Sequence, residues 1–410
     1  MASLVCFLAI LLSPLAMAGL AFMNTGLSRS RNAAHMMLAS LCVIALAGLT
    51  FLAIGFSWQG YEGSPSYALM AGGRSWNWIA SLPFFLRGMP LDISKPALAA
   101  LFGMMSAGLA AMIPLGSAAD RWKLGSICLS TAILTGWTYP LFAHWAWGGG
   151  WLAGLGFIDA GGSGVIHAVG GLSALGMTWV LGPRRGKFTP DRMPLAIPGH
   201  NSVYVLFGCL LAWAGFIGLN TAGAILNAGA DVEAAVRVAL NVSLSAVGSV
   251  LAVAALTRIR YSKPDASLCA NGWIAGLVAG SAGCAFLAPG VAALVGIIAG
   301  AVITYSVEWL ELHLNIDDPG GAISVHGLAG LWGLLATGWF APAAHWIPQA
   351  AGISTLIGCV FPMTYAIHWL LNRIHPMRVP PEGERLGLDM YELGSGAYPD
   401  FITHNDDLQR

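Results

Sequence analysis

The sequence predicts an all-α polytopic membrane protein, and three observations carry that prediction. Of the 410 residues 57% are hydrophobic and only 9% charged, against roughly 25% charged residues in soluble domains. Apolar runs near the length that a helix needs to cross a bilayer recur along the whole chain, and the mean hydropathy is +0.70. Finally, one phrase is written twice: Asp159-Ala-Gly-Gly-Ser-Gly-Val-Ile-His167-Ala-Val-Gly-Gly171-Leu172 returns as Asp318-Pro-Gly-Gly-Ala-Ile-Ser-Val-His326-Gly-Leu-Ala-Gly330-Leu331.

Taken in order, the apolar runs lie at about 3–27, 33–57, 97–118, 125–145, 160–182, 201–222, 234–257, 270–287, 290–312, 322–341 and 350–372, which predicts eleven transmembrane helices. No Lys or Arg precedes Arg29, so the first run lacks the charged flank of a signal peptide and reads as a retained span. The transmembrane domain is expected over 1–372, with spans 1–5 at about 1–182, spans 6–10 at about 201–341 and span 11 at about 350–372. A cytoplasmic tail is expected over 373–410.

Charge placement tests the count. The connections after spans 1, 3, 5, 7 and 9 and the tail hold Arg29, Arg31, Arg121, Lys123, Arg184, Arg185, Lys187, Arg192, Arg258, Arg260, Lys263, Arg373, Arg378, Arg385 and Arg410. Only Arg74, Arg87, Lys95 and Arg237 remain for the other side. By the positive-inside rule the N-terminus is outside and the C-terminus cytoplasmic.

Orientation gives the repeated phrase a meaning. Asp159 falls at the outer end of a helix running inward, and Asp318 at the inner end of a helix running outward. The copies are antiparallel, which is the sign of an inverted 5+5 repeat with one helix left over. In a helix the eight residues from each Asp to its His rise about 12 Å, close to half of a roughly 30 Å hydrocarbon core. His167 and His326 would then sit near the bilayer midplane, where ionisable residues are functional by default. Each Asp, followed by Gly-Gly, is placed to cap its helix by accepting backbone N–H bonds, so Asp159 and Asp318 read as structural helix caps first. The 53 glycines let helix backbones approach closely where no hydrophobic drive exists between them.

Composition also excludes several classes. The formal net charge is zero and the cations are scattered, so there is no basic stripe for nucleic acid. The seven cysteines are odd in number and lack CxxC spacing, which suggests neither a disulfide framework nor a zinc site. No cofactor fingerprint or nucleophile elbow is present, so no enzyme, catalytic residue, cofactor or metal is expected. A lone histidine in an apolar span is more often a satisfied packing residue, and His35, His144 and His368 fit that description. A two-histidine metal site is the weaker reading of His167 and His326, because no Cys or carboxylate supports it at a suitable interval.

The chain resembles the ammonium transporter/Rhesus family over nearly its whole length. Gly19-Leu-Ala-Phe-Met-Asn-Thr-Gly-Leu-Ser-Arg-Ser-Arg-Asn32 is similar to the family's first-helix end. So too are His144-Trp-Ala-Trp-Gly-Gly-Gly150, Leu181-Gly-Pro-Arg-Arg-Gly186, Asn271-Gly-Trp-Ile-Ala-Gly-Leu277, Val325-His-Gly-Leu-Ala-Gly330 and the tail Gly387-Leu-Asp-Met-Tyr-Glu-Leu-Gly-Ser-Gly-Ala-Tyr398 to other recurring segments. The resemblance implies a homotrimer in the cell membrane with a pore through each protomer. His167 and His326 would be its twin histidines, Trp147 the outer recruitment tryptophan, and Asp159 the aspartate near that mouth. A PII-type cytoplasmic regulator is also implied. Standing alone, Trp147 would be an interfacial belt residue.

The chain departs from the family pattern at the outer mouth. Ser106 stands where a gate phenylalanine is usual, Leu219 at the second gate phenylalanine, Phe216 where a tryptophan is common, and Gly223 at the usual recruitment serine. Leu393 and Gly396 replace His and Glu of the tail pattern. A wider or wetter outer pore is the expectation. Two function classes follow: transport of ammonium or ammonia, or an ammonium-binding sensor of the same fold with little flux. Family sensors carry an appended signalling domain, and about 38 residues follow span 11 here, from 373 to 410, which favours transport.

Overall fold

Proline, glycine and short polar caps set the helix boundaries in the computed structural model, which describes residues 1–398. The last part of the expected tail, with Arg410, lies outside the described residues. Helix α1 (Ala2–Leu27) bends at Ser13, where Pro14 cannot donate to the preceding turn. Helix α2 (Ser30–Gln59) ends at Gly60, whose φ of +61° suits glycine. Helices α3 (Lys95–Ala118), α4 (124–146) and α5 (Ser163–Leu181) follow, α3 starting with Pro96 in its first turn. In α6 (Ser202–Asn227) the Asn201 side chain accepts the Tyr204 N–H at 3.0 Å, and in α8 (Ala266–Ser281) Asp265 accepts the Leu268 N–H at 2.8 Å. Between them runs α7 (Ala234–Tyr261), and after them α9 (Pro289–Leu314), α10 (Ile323–Phe340) and α11 (Trp346–Ile374).

Among the described residues nine of these helices are long and apolar enough to cross a membrane, all but α4 and α8. The sequence places a span over 270–287, whereas α8 stops at Ser281. The cause is a side chain: Ser163 Oγ accepts the Ala282 N–H at 2.7 Å, so that donor leaves the helix and the chain turns into α9.

The all-α expectation needs one correction. A two-stranded antiparallel sheet, β1 (Ser66–Ala71) and β2 (Arg74–Ala80), stands between α2 and α3. Its turn residues Gly72 and Gly73 have φ of +60° and +73°, the mirror-image turn that matches strand twist. That Gly-Gly between alternating residues was the available signal.

Packing follows the repeat. Helices α1 and α6 cross antiparallel with backbones in contact: a Cβ on Gly19 would lie 2.5 Å from Gly208 O, and one on Gly218 would lie 2.4 Å from Ala9 O. Likewise α7 lies against α9, where a Cβ on Gly296 would meet Ser245 O. Outward faces leave Leu210, Val236, Leu251 and Trp339 exposed, as lipid contact requires.

Candidate functional site

The two predicted histidines meet. His167 Nδ1 lies 3.2 Å from His326 Nδ1, and the rings are 5.2 Å apart between centroids. His167 is wholly buried and His326 5% exposed. One of the two Nδ1 atoms must donate and the other accept. Each histidine rides a wide π-helical turn at the start of its helix, Ser163–Ala168 in α5 and Ile323–Leu328 in α10. Such turns are frequent at functional sites, because one extra residue per turn re-aims side chains. Sequence periodicity does not announce them.

Glycine explains why the contact is so close. A Cβ on Gly171, four residues past His167, would lie 2.1 Å from Gly327 N; one on Gly330, four past His326, would lie 3.0 Å from Ala168 N and 2.4 Å from Ser163 O. In the register of the repeated phrase these contacts are images of each other. The α5–α10 crossing is therefore a pseudo-symmetric backbone contact, and it fixes the depth of both imidazoles.

The aspartates hold the two helix starts. Asp159 accepts the N–H groups of Gly162 (3.1 Å), Gly164 (2.9 Å) and Val165 (2.8 Å). Asp318 accepts those of Ala322 (3.0 Å) and Ile323 (2.8 Å), together with the Ser117 hydroxyl at 2.7 Å. Both are buried caps that satisfy donors left open at a helix N-terminus.

Trp147 packs beside this centre. Its Nε1 donates to Asp159 O at 2.8 Å, and its ring tilts against Phe102 at 5.6 Å. Around it a recess is lined by Gln59, Tyr61, Glu62, Lys95, Phe102 and Asn227, with Glu62 and Lys95 paired at 2.9 Å. The preceding turn is clamped through His144, whose Nδ1 meets Gln59 O at 2.7 Å and whose Nε2 meets Asn77 Oδ1 of β2 at 2.9 Å. His144 and His368, the latter against Ser130 and Thr364 O, are satisfied packing residues. His35 instead contacts Glu392 of the tail at 2.7 Å.

Phe216 and Gly223, two of the four departures expected at the mouth, lie against this centre. Phe216 stacks on His167, with centroids 5.0 Å apart and planes 4° from parallel. Ser106 and Leu219 are fully buried. Gly223 has a physical reason to lack a side chain, since a Cβ there would lie 2.4 Å from Ala160 O and 3.2 Å from Phe102. Phe102 and Asn220 were missed from the sequence. Asn220 Oδ1 is buried without a partner among the described residues, 1.8 Å from where a Gly161 Cβ would stand. Its signal was a second repetition, Asn24-Thr25-Gly26 in α1 against Asn220-Thr221-Ala222 in α6. His167 Nε2, Ser106 Oγ and Ser324 Oγ share this unpartnered state.

The profile of the Ammonium Transporter Family matches residues 3–398. The chain belongs to that family. Ammonium transporter Amt2 of Archaeoglobus fulgidus is 37% identical, covering 95% of this chain and 86% of that protein. The ammonium transporter of Bacillus subtilis is 29% identical, with 93% and 94% covered. Among solved structures, a Sensor Amt Protein superposes with a TM-score of 0.87 at 28% identity, over 95% of this chain and 98% of that one. Candida albicans Mep2 shares the fold, with a TM-score of 0.82 at 23% identity over 98% and 91%. Family membership makes this a multi-pass membrane protein and a transporter rather than an enzyme.

Away from the histidine pair, a buried ion network ties the connections after α1, α3, α5 and α9 together. Arg184 pairs with Asp317 (2.8 Å) and Asp120 (3.0 Å), Arg29 with Asp120 (3.1 Å), and Arg121 with Asp317 (3.8 Å). Burial alone would raise the Asp317 carboxyl, but Arg121 and Arg184 outweigh it and hold it at about 2. The tail docks beside this network: Asp389 accepts the His35 N–H at 2.7 Å, and Glu392 accepts the Leu124 N–H at 2.9 Å.

Proposed function

We propose that this protein conducts ammonium across the cell membrane by splitting it into ammonia and a proton at the His167–His326 pair. The observation that carries the reading is the 3.2 Å Nδ1–Nδ1 contact, buried at a crossing of two backbones. Moving an intact charge to the bilayer centre costs about 2.5–3.5 kcal/mol on insertion scales and roughly 10–17 in simulations of an isolated helix. Deprotonating an amine of pKa about 10.4 near neutral pH costs on the order of 4–5 kcal/mol. Splitting therefore competes with carriage of the ion in a dry pore. The imidazole pair offers donors and acceptors to neutral ammonia and a hydrogen-bonded route for the released proton. Potassium has no proton to release and is rejected.

In this reading Trp147, with Phe102 and the nearby Asp159, gathers the cation, the indole contributing a cation–π attraction of roughly 0.5–2 kcal/mol. Phe216 on the face of His167 would shield the pair in place of a stacked phenylalanine gate, and Ser106, Leu219 and Gly223 would set the width above it. The helices α4 and α8 also cross, giving eleven spans with the N-terminus outside and the tail cytoplasmic. The functional unit is a homotrimer. A PII-type protein would engage the cytoplasmic face, where Leu393 and Gly396 alter the family's tail pattern.

The test is ammonium-evoked current in proteoliposomes. Wild-type protein should respond to ammonium and not to potassium, and His167→Ala and His326→Ala should abolish the response. A Sensor Amt Protein shares the fold, but the family and the named relatives are ammonium transporters, so the sensor reading is not favoured. Saturable ammonium binding without current in the wild type would establish the sensor reading instead.

A further inference from the structure

Four arginines converge on one cleft. A cavity of about 310 Å³ opens between the α1–α2 turn, the connection after α5 and the tail turn Pro381–Leu386. At ~30 Å³ of liquid volume per water, it holds roughly ten waters. Arg29, Arg31, Arg185 and Arg385 line it, against Glu382 and Glu384. The two carboxylates are not equivalent. Glu384 is buried and already engaged: Oε1 accepts the Arg185 backbone N–H at 2.6 Å, and Oε2 accepts from Arg378, which does not line the cavity, at 2.8 Å and lies 3.9 Å from the exposed Arg185 Nε. Glu382 is exposed on the rim.

Arg29 adds an independent sign. Its Nε is spent on Asp120 at 3.1 Å, but Nη2 is buried without a hydrogen-bond partner among the described residues. Behind it, among the described residues, the guanidiniums of Arg29, Arg121 and Arg184 share the carboxylates of Asp120 and Asp317. The adjacent Asp318 is occupied by Ser117 and two backbone N–H groups. A buried donor without an acceptor is costly, and guanidinium forks match phosphate oxygens in bidentate geometry.

We propose that this cleft binds a phosphate-bearing anion, held by Arg29, Arg185 and Arg385. The anion reaches it either as the headgroup of an anionic lipid or as a soluble phosphate. Because Arg385 belongs to the tail, whereas Arg29 and Arg185 lie in connections between helices, occupancy bridges tail and membrane domain and holds the tail down.

The full-length protein in phosphatidylcholine nanodiscs, titrated with inorganic pyrophosphate, tests the site by calorimetry and by hydrogen exchange over 381–398. Pyrophosphate should bind, slow exchange in the tail, and weaken as salt rises. Arg185→Gln with Arg385→Gln, both on exposed side chains, should lower affinity about tenfold or more. Glu382→Gln removes the rim carboxylate and should raise affinity, a gain that misfolding cannot imitate. A second titration in nanodiscs containing phosphatidylglycerol assigns the source. Reduced pyrophosphate affinity there shows the headgroup competing for the cleft, and unchanged affinity shows a soluble phosphate as its ligand, both with the site intact. No pyrophosphate binding in phosphatidylcholine, or binding indifferent to both the arginine pair and Glu382, overturns the proposal.

Discussion

Replacing Gly171 by alanine should disable the pore without touching either histidine. The added Cβ would stand 2.1 Å from the backbone nitrogen of Gly327, where about 3.0 Å is the least a real Cβ tolerates. Backbone cannot rotate aside as a side-chain tip can, so α5 and α10 must part by about 0.9 Å. If the imidazoles ride with their helices, the His167–His326 separation grows from 3.2 Å to about 4.1 Å, beyond hydrogen-bond reach. Overpacking of this kind costs ~1–3 kcal/mol in stability, leaving an assembled membrane protein. A displacement of about 1 Å in reacting groups can cost ~100-fold in rate, so ammonium-evoked current in proteoliposomes should fall by ~10–100-fold. The control is Gly358→Ala in α11, where a Cβ meets nothing within 4 Å. Wild-type current from Gly171→Ala, at matched protein density, would refute the claim that this crossing sets the histidine contact.

Ser106→Phe and Leu219→Phe, which restore bulk at fully buried positions, should each lower ammonium current and sharpen rejection of potassium; unchanged conduction and selectivity would remove these sites from the permeation path. Asp159→Ala deletes the acceptor of three backbone N–H groups and should lower the melting temperature and the current together, with Asp159→Asn intermediate. The folded Asp317 carboxyl is depressed from 3.8 to about 2 by Arg121 and Arg184 against the opposing effect of burial, so its stabilisation is full above about pH 4 and lost as pH falls toward 2. Melting temperature in detergent should decline over that interval, and Asp317→Asn should flatten the decline while lowering stability at neutral pH. Asp389→Ala frees the Ala34 and His35 N–H groups and should speed hydrogen exchange over 388–398, measurable by mass spectrometry.

What was legible in the sequence was whatever periodicity or repetition encodes. The eight-residue interval from Asp to His placed both histidines on equivalent turns, and the structure brings those two rings together. Capping by Asp159 and Asp318 was readable because an acidic residue before Gly-Gly has few other uses in an apolar helix start. The π-helical turns were not readable, since an extra residue in one turn leaves the hydrophobic pattern intact when the helix is apolar all round. The hairpin at 66–80 was passed over because the surrounding spans dominated the hydropathy. The early end of α8 depends on Ser163, more than a hundred residues away in sequence, and no local pattern announces such a partner. The departures at Ser106, Leu219 and Gly223 were visible by comparison with the family. Their structural sense at Gly223 needed the backbone, because only coordinates reveal that Ala160 O occupies the place of a side chain.

The inverted repeat does more than duplicate a helix. Asn24 of α1 and Asn220 of α6 occupy the same place in their Asn-Thr phrases, and each presses its side chain onto glycine. A Cβ on Gly116 would lie 2.7 Å from Asn24 Oδ1, and one on Gly161 would lie 1.8 Å from Asn220 Oδ1. The two ends nonetheless differ in chemistry. Asp159 has Trp147 donating to its own backbone carbonyl, whereas Asp318 has Ser117 on its carboxylate and adjoins Asp317, which is locked to Arg121 and Arg184. One end therefore carries the packed rings of Trp147 and Phe102, and the other is braced by an ion network beside the tail. A symmetric pair of histidines between unlike ends gives one hydrogen-bonding centre two distinct approaches. The differences between the two approaches to the histidine pair then rest on residues that break the symmetry rather than on the histidines themselves.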